Sequence, residues 1–191
     1  MNEAIYIAEF RSISHGIGAL DVMCKRTELK LLYAAPVCIG KYLICVGGDV
    51  GNITEAQTAA ETDGEELPFA SCLLTGIHTS ILEYFRKEQA HIDKIPAAIG
   101  VFETNNAASG FHSLDQALKG AQATLMRVWI GNRLGGKLCW VIGGSTSDVQ
   151  SAITAAKGAV PDSEQAGNRI IIAPDSFVAD LFLNKNPDIN T

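Results

Sequence analysis

The chain has no CxxC pair, no run of lysine and arginine, no apolar stretch of bilayer length, and no His/Glu/Cys set at zinc spacing. Each absence closes a class of function. Without some 20 consecutive apolar residues there is no transmembrane helix to expect. Met1-Asn2-Glu3 does not open a signal peptide, so the cytosol is the expected location. Five cysteines (Cys24, Cys38, Cys45, Cys72, Cys139) are an odd count, expected as reduced thiols that pack as small hydrophobes or bind metal. Fifteen basic against 21 acidic residues give a formal charge of −6, which argues against nucleic acid or an anionic membrane as partner. Charged residues make up only 19% and hydrophobic residues 47%. That balance points to apolar surface buried in an oligomer.

What the chain does have is a repeat. Ala4-Ile5-Tyr6-Ile7-Ala8-Glu9-Phe10 returns as Ala98-Ile99-Gly100-Val101-Phe102-Glu103-Thr104. At the same offset Gly16 matches Gly110, Leu20 matches Leu114, Asp21 matches Asp115 and Lys25 matches Lys119. After a two-residue insertion Gly40-Lys41 matches Gly136-Lys137, Gly47-Gly48 matches Gly143-Gly144, and Ala59-Ala60 matches Ala155-Ala156. A duplicated domain carries equivalent surfaces twice, which suits a ring built of similar wedges.

Each copy reads as β-α-β-β-α-β-α. In the first, 4–10 has strand composition, and 16–26 has helical spacing with Ile17, Leu20 and Cys24 on one stripe, kept in the second copy as Phe111, Leu114 and Leu118. Strands are expected over 29–37, 41–46 and 69–77, and helices over 50–62 and 79–85. The first of these later helices turns Ile53, Ala56 and Ala60 inward; its partner does the same with Val149, Ala152 and Ala156 and opens on the capping pattern Ser147-Asp148-Val149-Gln150. The second copy closes with a strand over 169–173 and a short helix near 177–183. The expected division is a first domain over 1–85, a polar linker over 86–96 ending at Pro96, a second domain over 97–183 and a frayed tail over 184–191. Two strand-helix-strand units with antiparallel pairing make each domain α+β and ferredoxin-like.

The opening Ala-Ile strand with its glutamate, the helix with Asp-x-x-x-Lys, the Gly-Lys after the second strand and the Gly-Gly before an Ala-rich helix resemble the bacterial microcompartment (BMC) shell domain. Both halves carry the series, so the chain resembles the tandem-domain, trimeric class of that family, in non-permuted order. The resemblance implies two ferredoxin-like BMC domains per chain. It implies a homotrimer forming a flat pseudo-hexameric disc that tiles, with other microcompartment shell proteins, into a shell around encapsulated enzymes. The disc axis is then a pore for small molecules or electrons. In members with a cysteine in the first-repeat turn, three pore-loop cysteines hold one [4Fe-4S] cluster, and Val37-Cys38-Ile39-Gly40-Lys41 places Cys38 there. The second-repeat loop, with Asn132, Arg133, Leu134 and Gly135, becomes the pore-facing loop that alternates with Val37, Cys38, Ile39 and Gly40, and Arg133 adds positive charge near the opening. Lys25 and Lys119 become disc-edge residues that bond the neighbouring disc. The family's Pro-Arg-Pro-His run after the last strand is missing here, which leaves the edge without its usual arginine.

The same residues have plainer readings. Cys38 follows a β-rich run and is a small hydrophobe elsewhere in proteins; Pro36 and Gly40 nevertheless mark an exposed turn. The other four cysteines are expected to pack. The loop 131–136 lacks a following helix and the Walker Lys-Ser/Thr, so a hairpin tip is favoured over a phosphate cradle. Lys25 and Lys119 each follow an aspartate by four residues and suit a surface ion pair. His15 and His112 are read as surface or capping residues, and His78 and His91 are scattered. Glu9 and Glu103 are repeat-equivalent strand carboxylates, better suited to an interdomain or helix-end hydrogen bond than to acid/base work. A catalytic Cys38 would need a histidine base that the spacing does not offer. A small-ligand-binding trimeric regulator of the same fold is the alternative function, because ferredoxin-like domains also serve as sensors.

Overall fold

The structure is a computed structural model, and it describes residues 3–86, 94–131 and 134–183, with only the backbone of residue 39. The first copy runs β1 (Glu3–Phe10), α1 (Ile13–Arg26), β2 (Lys30–Val37), β3 (Lys41–Asp49), α2 (Val50–Thr62), β4 (Ala70–Thr75) and α3 (Thr79–Arg86). The second runs β5 (Ala98–Thr104), α4 (Ala107–Gly120), β6 (Thr124–Ile130), β7 (Leu138–Gly144), α5 (Thr146–Ala159), β8 (Gln165–Ile172) and α6 (Ser176–Asp180). The two sheets have the orders β2-β3-β1-β4 and β6-β7-β5-β8, antiparallel throughout. These are two ferredoxin-like α+β domains in tandem. Both carry a register shift at the same place, between Leu31 and Tyr33 and between Leu125 and Arg127.

The central strand β1 is apolar on both faces because both are covered. Ala4, Tyr6, Ala8 and Phe10 meet α1 and α2 in one cluster with Met23, Ile53, Ala56 and Ala60. Ile5 and Ile7 point the other way, into a core continuous with Phe102, Phe111, Leu114 and Trp140 of the second domain. The two domains therefore share one hydrophobic core.

The expected stripe of α1 is met at Leu20, which is half-buried against the sheet, and corrected at Ile17 and Cys24. Gly16, Ala19 and Met23 are its buried residues. Ile17 is 52% exposed and Cys24 is exposed. Their counterparts Phe111 and Leu118 on α4 are buried, along with Leu114. The reason is that α4 is buried on two faces, one against its own sheet and one against β4 of the first domain. Among the described residues α1 packs on its own sheet and on α2, with no comparable contact to a strand of the second domain. A second correction concerns α5. Its N-cap is Ser145, which accepts from Asp148 N–H in a capping arrangement closed by the Asp148 carboxylate; Ser147 lies inside the helix. A third concerns Arg86, expected in the linker: it closes α3 and pairs with Glu3. His91 and the tail over 184–191 lie outside the described residues.

Close approach of α1 to β3 depends on Gly16. A Cβ there would lie 2.6 Å from Tyr42 Cδ1, whereas a Cβ on Gly18 meets nothing within 4 Å. Replacing a helical glycine with alanine gains about 1 kcal/mol of backbone propensity, and overpacking costs about 1–3 kcal/mol. Gly18→Ala is expected to raise the midpoint of urea unfolding and Gly16→Ala to lower it, although the two sit two residues apart on one helix.

Candidate functional site

Two places gather the residues singled out by sequence: the paired hairpin turns and the seam between the domains. The first turn joins β2 to β3 through one turn of 3-10 helix, Cys38–Gly40, with Val37 pairing Lys41 across its base. Gly40 has φ +75°, a backbone state that a side chain disfavours. Val37 is buried, Cys38 half-buried and Gly40 exposed.

The second turn joins β6 to β7. Gly131 N–H donates to Lys137 carbonyl, Leu134 N–H to Gly131 carbonyl and Lys137 N–H to Leu134 carbonyl. Gly131, Gly135 and Gly136 all have positive φ. Asn132 and Arg133 lie outside the described residues.

The turns are neighbours in space. A Cβ on Gly131 would sit 2.6 Å from Val37 Cγ1, and one on Gly136 would sit 2.9 Å from Lys41 Nζ. Lys41 Nζ also lies 4.6 Å from the centre of the Phe69 ring, with Arg11 4.9 Å from the same ring. A desolvated cation over an aromatic face is favourable by about 0.5–2 kcal/mol. Lys41 thus ties the second turn to the first domain, a contact that no sequence pattern announced. Leu134 and Gly135 belong to the same described turn as Gly131 and Gly136, so the expected residues 37–40 and 134–135 share one end of the molecule.

At the seam, Glu9 is the central group. Its side chain is fully buried, and Oε1 accepts from Ala107 N–H and, at 3.2 Å, from Ala108 N–H, the first turn of α4. A carboxylate belongs there because the first N–H groups of a helix lack intrahelical partners and carry partial positive charge. The expected interdomain, helix-end role of Glu9 is met. Oε2 is buried with no hydrogen-bond partner among the described residues. Burial pushes the Glu9 carboxyl up to about 7, against the two backbone N–H groups and Lys41, which favour the charged form; Glu164 adds to the rise.

The rest of the seam was not legible beforehand. Asp115 on α4 is 1% exposed and accepts from His78 N–H at 2.9 Å as well as from Lys119. Cys72 Sγ donates to Ala108 carbonyl at 3.2 Å. Phe85 of α3 stacks on Phe111 of α4 with ring centres 5.2 Å apart. Glu103, the counterpart of Glu9, reaches no helix end among the described residues and lies 3.8 Å from Lys137.

Both expected edge lysines pair with the aspartate four residues earlier, Lys25 with Asp21 and Lys119 with Asp115. His15 pairs with Glu66, and His78 Nδ1 accepts from Ser80 N–H. Three of the four cysteines expected to pack are in apolar surroundings: burial raises the thiols of Cys45 and Cys72, and pushes Cys139 up to about 12. Cys24 is the exception, exposed on α1. Among the described residues no three His, Cys, Asp or Glu side chains of one chain are grouped to hold a metal ion.

The Glu9 environment has a sign. Its folded pKa, about 7, lies above the ordinary 4.5, so the folded chain keeps a proton that the unfolded chain releases between those values. Stability contributed by this group is complete below pH 4.5 and is lost as pH rises through 7, by roughly 3 kcal/mol. Glu9→Gln keeps an acceptor for α4 and removes the buried charge. The unfolding midpoint of the wild type is expected to fall from pH 5 to pH 8, and that of Glu9→Gln to fall much less; equal slopes would locate the titration elsewhere.

Comparison with known proteins agrees with the geometry. The model of the BMC domain matches twice, over residues 4–75 and 98–174. The microcompartment shell protein PduT of Citrobacter freundii is 34% identical over 178 residues, spanning 93% of this chain and 92% of that protein. A crystal structure of a microcompartments protein from Desulfitobacterium hafniense superposes with a TM-score of 0.82 at 29% identity, covering 94% of this chain and 99% of the other. The fused permuted hexameric shell protein MSM0275 of the RMM microcompartment shares the fold, with a TM-score of 0.60 at 19% identity over 82% of this chain and 83% of the other. The chain belongs to the BMC-domain family of bacterial microcompartment shell proteins and carries that domain twice.

Proposed function

We propose that this chain is a structural facet protein of a microcompartment shell, acting as a homotrimeric disc whose central pore is lined by both hairpin turns. The observation that carries the reading is the half-used seam. One first helix, α4, is buried against the other domain of its own chain, while the equivalent face of α1 is open. A chain with one filled and one open copy of the same joint is completed by further copies of itself, head to tail, and a rotation that closes gives a ring. Stacked side by side at one end of the chain, the turns around Cys38 and Leu134 would then alternate about the axis.

Cys38 is suited to a cluster in such a ring. It is half-buried on an exposed hairpin, unlike Cys45, Cys72 and Cys139, whose thiols are held protonated by burial. One thiolate per chain cannot hold an iron–sulfur cubane, but three related by symmetry supply three of its four protein ligand positions. Such a group would provide one-electron transfer across the shell. Val37 and Gly40 would shape the turn around it, and Lys41, fixed against Phe69, would favour negative charge nearby. Lys25 and Lys119, at equivalent places in the two copies, would serve the disc edge, where other shell proteins tile. This role is structural and calls for no catalytic residue. Among the described residues no helix is long and apolar enough to cross a membrane.

Two measurements test this. Concentrated protein viewed by electron microscopy should show pseudo-hexagonal discs or sheets; particles of one chain only would overturn the ring. Anaerobically reconstituted protein should bind iron and absorb visible light, and Cys38→Ser should lose both while keeping its assembly state. A colourless wild type would remove the cluster and leave the disc.

A further inference from the structure

The seam inside the chain is a template for the seam between chains. In the filled seam, Glu9 at the end of β1 closes the N-terminus of α4, Asp115 of α4 accepts from the His78 backbone, and Phe111 packs on Phe85. Each part has its counterpart left open. Ser12, the N-cap of α1, makes no side-chain cap bond; its hydroxyl is engaged with Ser14. Among the described residues no side chain accepts from Ile13 or Ser14 N–H, the equivalents of Ala107 and Ala108. Glu103 at the end of β5 is 43% exposed. Asp21, the equivalent of Asp115, is 57% exposed and among the described residues holds only Lys25.

The receiving side also has its copy. Gly76 and Ala173 both have positive φ after the last strand of their domain, which aligns His78 with Asp175. The alignment is functional: His78 caps Ser80 N–H and Asp175 caps Phe177 N–H, each two residues on. The Asp175 backbone N–H therefore stands where the His78 N–H meets Asp115. Apolar surface is exposed on both open halves: Ile13 and Ile17 on α1, and Ile172, Phe177 and Leu181 beside β8, with Phe177 85% exposed.

We propose that Glu103 of one chain accepts from the Ile13 and Ser14 N–H groups of a second copy, whose Asp21 accepts from the first chain's Asp175 N–H. The inference rests on the ring reading above and names the polar joint that closes it. Charge complementarity favours a second copy as the occupant: α1 begins with no acidic residue in its first turn, Glu66 is engaged by His15, and among the described residues no carboxylate reaches the Ile13 and Ser14 N–H groups that Glu103 would meet. The apolar residues supply area, and the two carboxylates fix register, because each must find a specific backbone donor.

The test uses the full chain and reads assembly by sedimentation and native mass spectrometry over a dilution series. Glu103→Ala should raise the concentration at which the assembly half-dissociates at least tenfold, and Glu103→Gln, which keeps an acceptor, should raise it less. Ile13→Pro removes one donor while remaining compatible with the first position of a helix. Combined with Glu103→Ala, it should add much less than the sum of the two single effects. Far-UV circular dichroism checks that each variant stays folded. Glu103→Ala assembling as tightly as wild type, or strictly additive effects, overturns the joint and leaves the ring intact. A wild type that stays a single chain at every concentration, or assembles only with a different BMC-domain chain, overturns the joint together with the homotrimer.

Discussion

The structure turns on one carboxylate placed at one helix end. Glu9 is carried by the central strand of the first domain, and it stops the N-terminus of the first helix of the second. Without that acceptor two backbone N–H groups would be buried at a domain boundary, an arrangement that costs about 1–3 kcal/mol for each unsatisfied group. With it, α4 is fixed in position and angle, and Phe111, Leu114 and Leu118 are delivered to a core shared by both domains. A shared core makes the relative placement of the domains a property of the fold, where a linker alone would leave them free. The pairing of the hairpin turns follows from this placement, since Val37 meets Gly131 only if the domains are held together.

The near-identity of the two copies makes their differences informative. Tyr42 behind Gly16 and Leu138 behind Gly110 show that both first helices dock on their own sheets in the same way. Beyond that contact they part. Alanine stands at 107 and 108 on the buried helix where Ile13 and Ser14 stand on the open one, and Phe111 stands where Ile17 does. Small residues let Glu9 and Cys72 approach the backbone of α4 closely within one chain. A duplication can keep one joint and specialise each version of it, one made within the chain and the other, in the proposed ring, made between chains.

Much of the fold could be read from the sequence because duplication supplies its own control. A strand or helix proposed in one half must work in the other, and the element order, the α2 and α5 core faces and the Glu9 role all followed from paired positions. The failures have a common physical cause. A helix lying on a sheet and beside a second domain carries two overlapping stripes, and 3.6-residue periodicity cannot say which neighbour each faces. Gly16 repeats as Gly110, but it and Ala19 are too small to mark a hydrophobic stripe, yet with Met23 they are the docking face of α1; the larger Ile17 looked like core and is not covered within the chain. Lys41 over Phe69 and Val37 against Gly131 join positions that are not repeat equivalents, so no internal comparison exposed them. Asp115 resembled a surface ion pair because its second partner is a backbone N–H, which leaves no mark in a sequence.

The cysteines fall into two settings, the seam and the first hairpin turn. Cys45 and Cys72 lie on the face of the first sheet that packs against the second domain, both opposite Ile7, and their thiols are held protonated by burial and by the negative potential of Glu9. They strengthen the joint as small apolar groups and are poor metal ligands there. Cys38 is set apart from them on the turn. In the proposed disc, cluster chemistry at Cys38 would be created by assembly, and the same carboxylates that register one chain against the next would decide whether three sulfurs meet. There the dependence runs one way: three chains must meet before three Cys38 thiolates could share one cluster, whereas the ring is closed by the seams and stands without it.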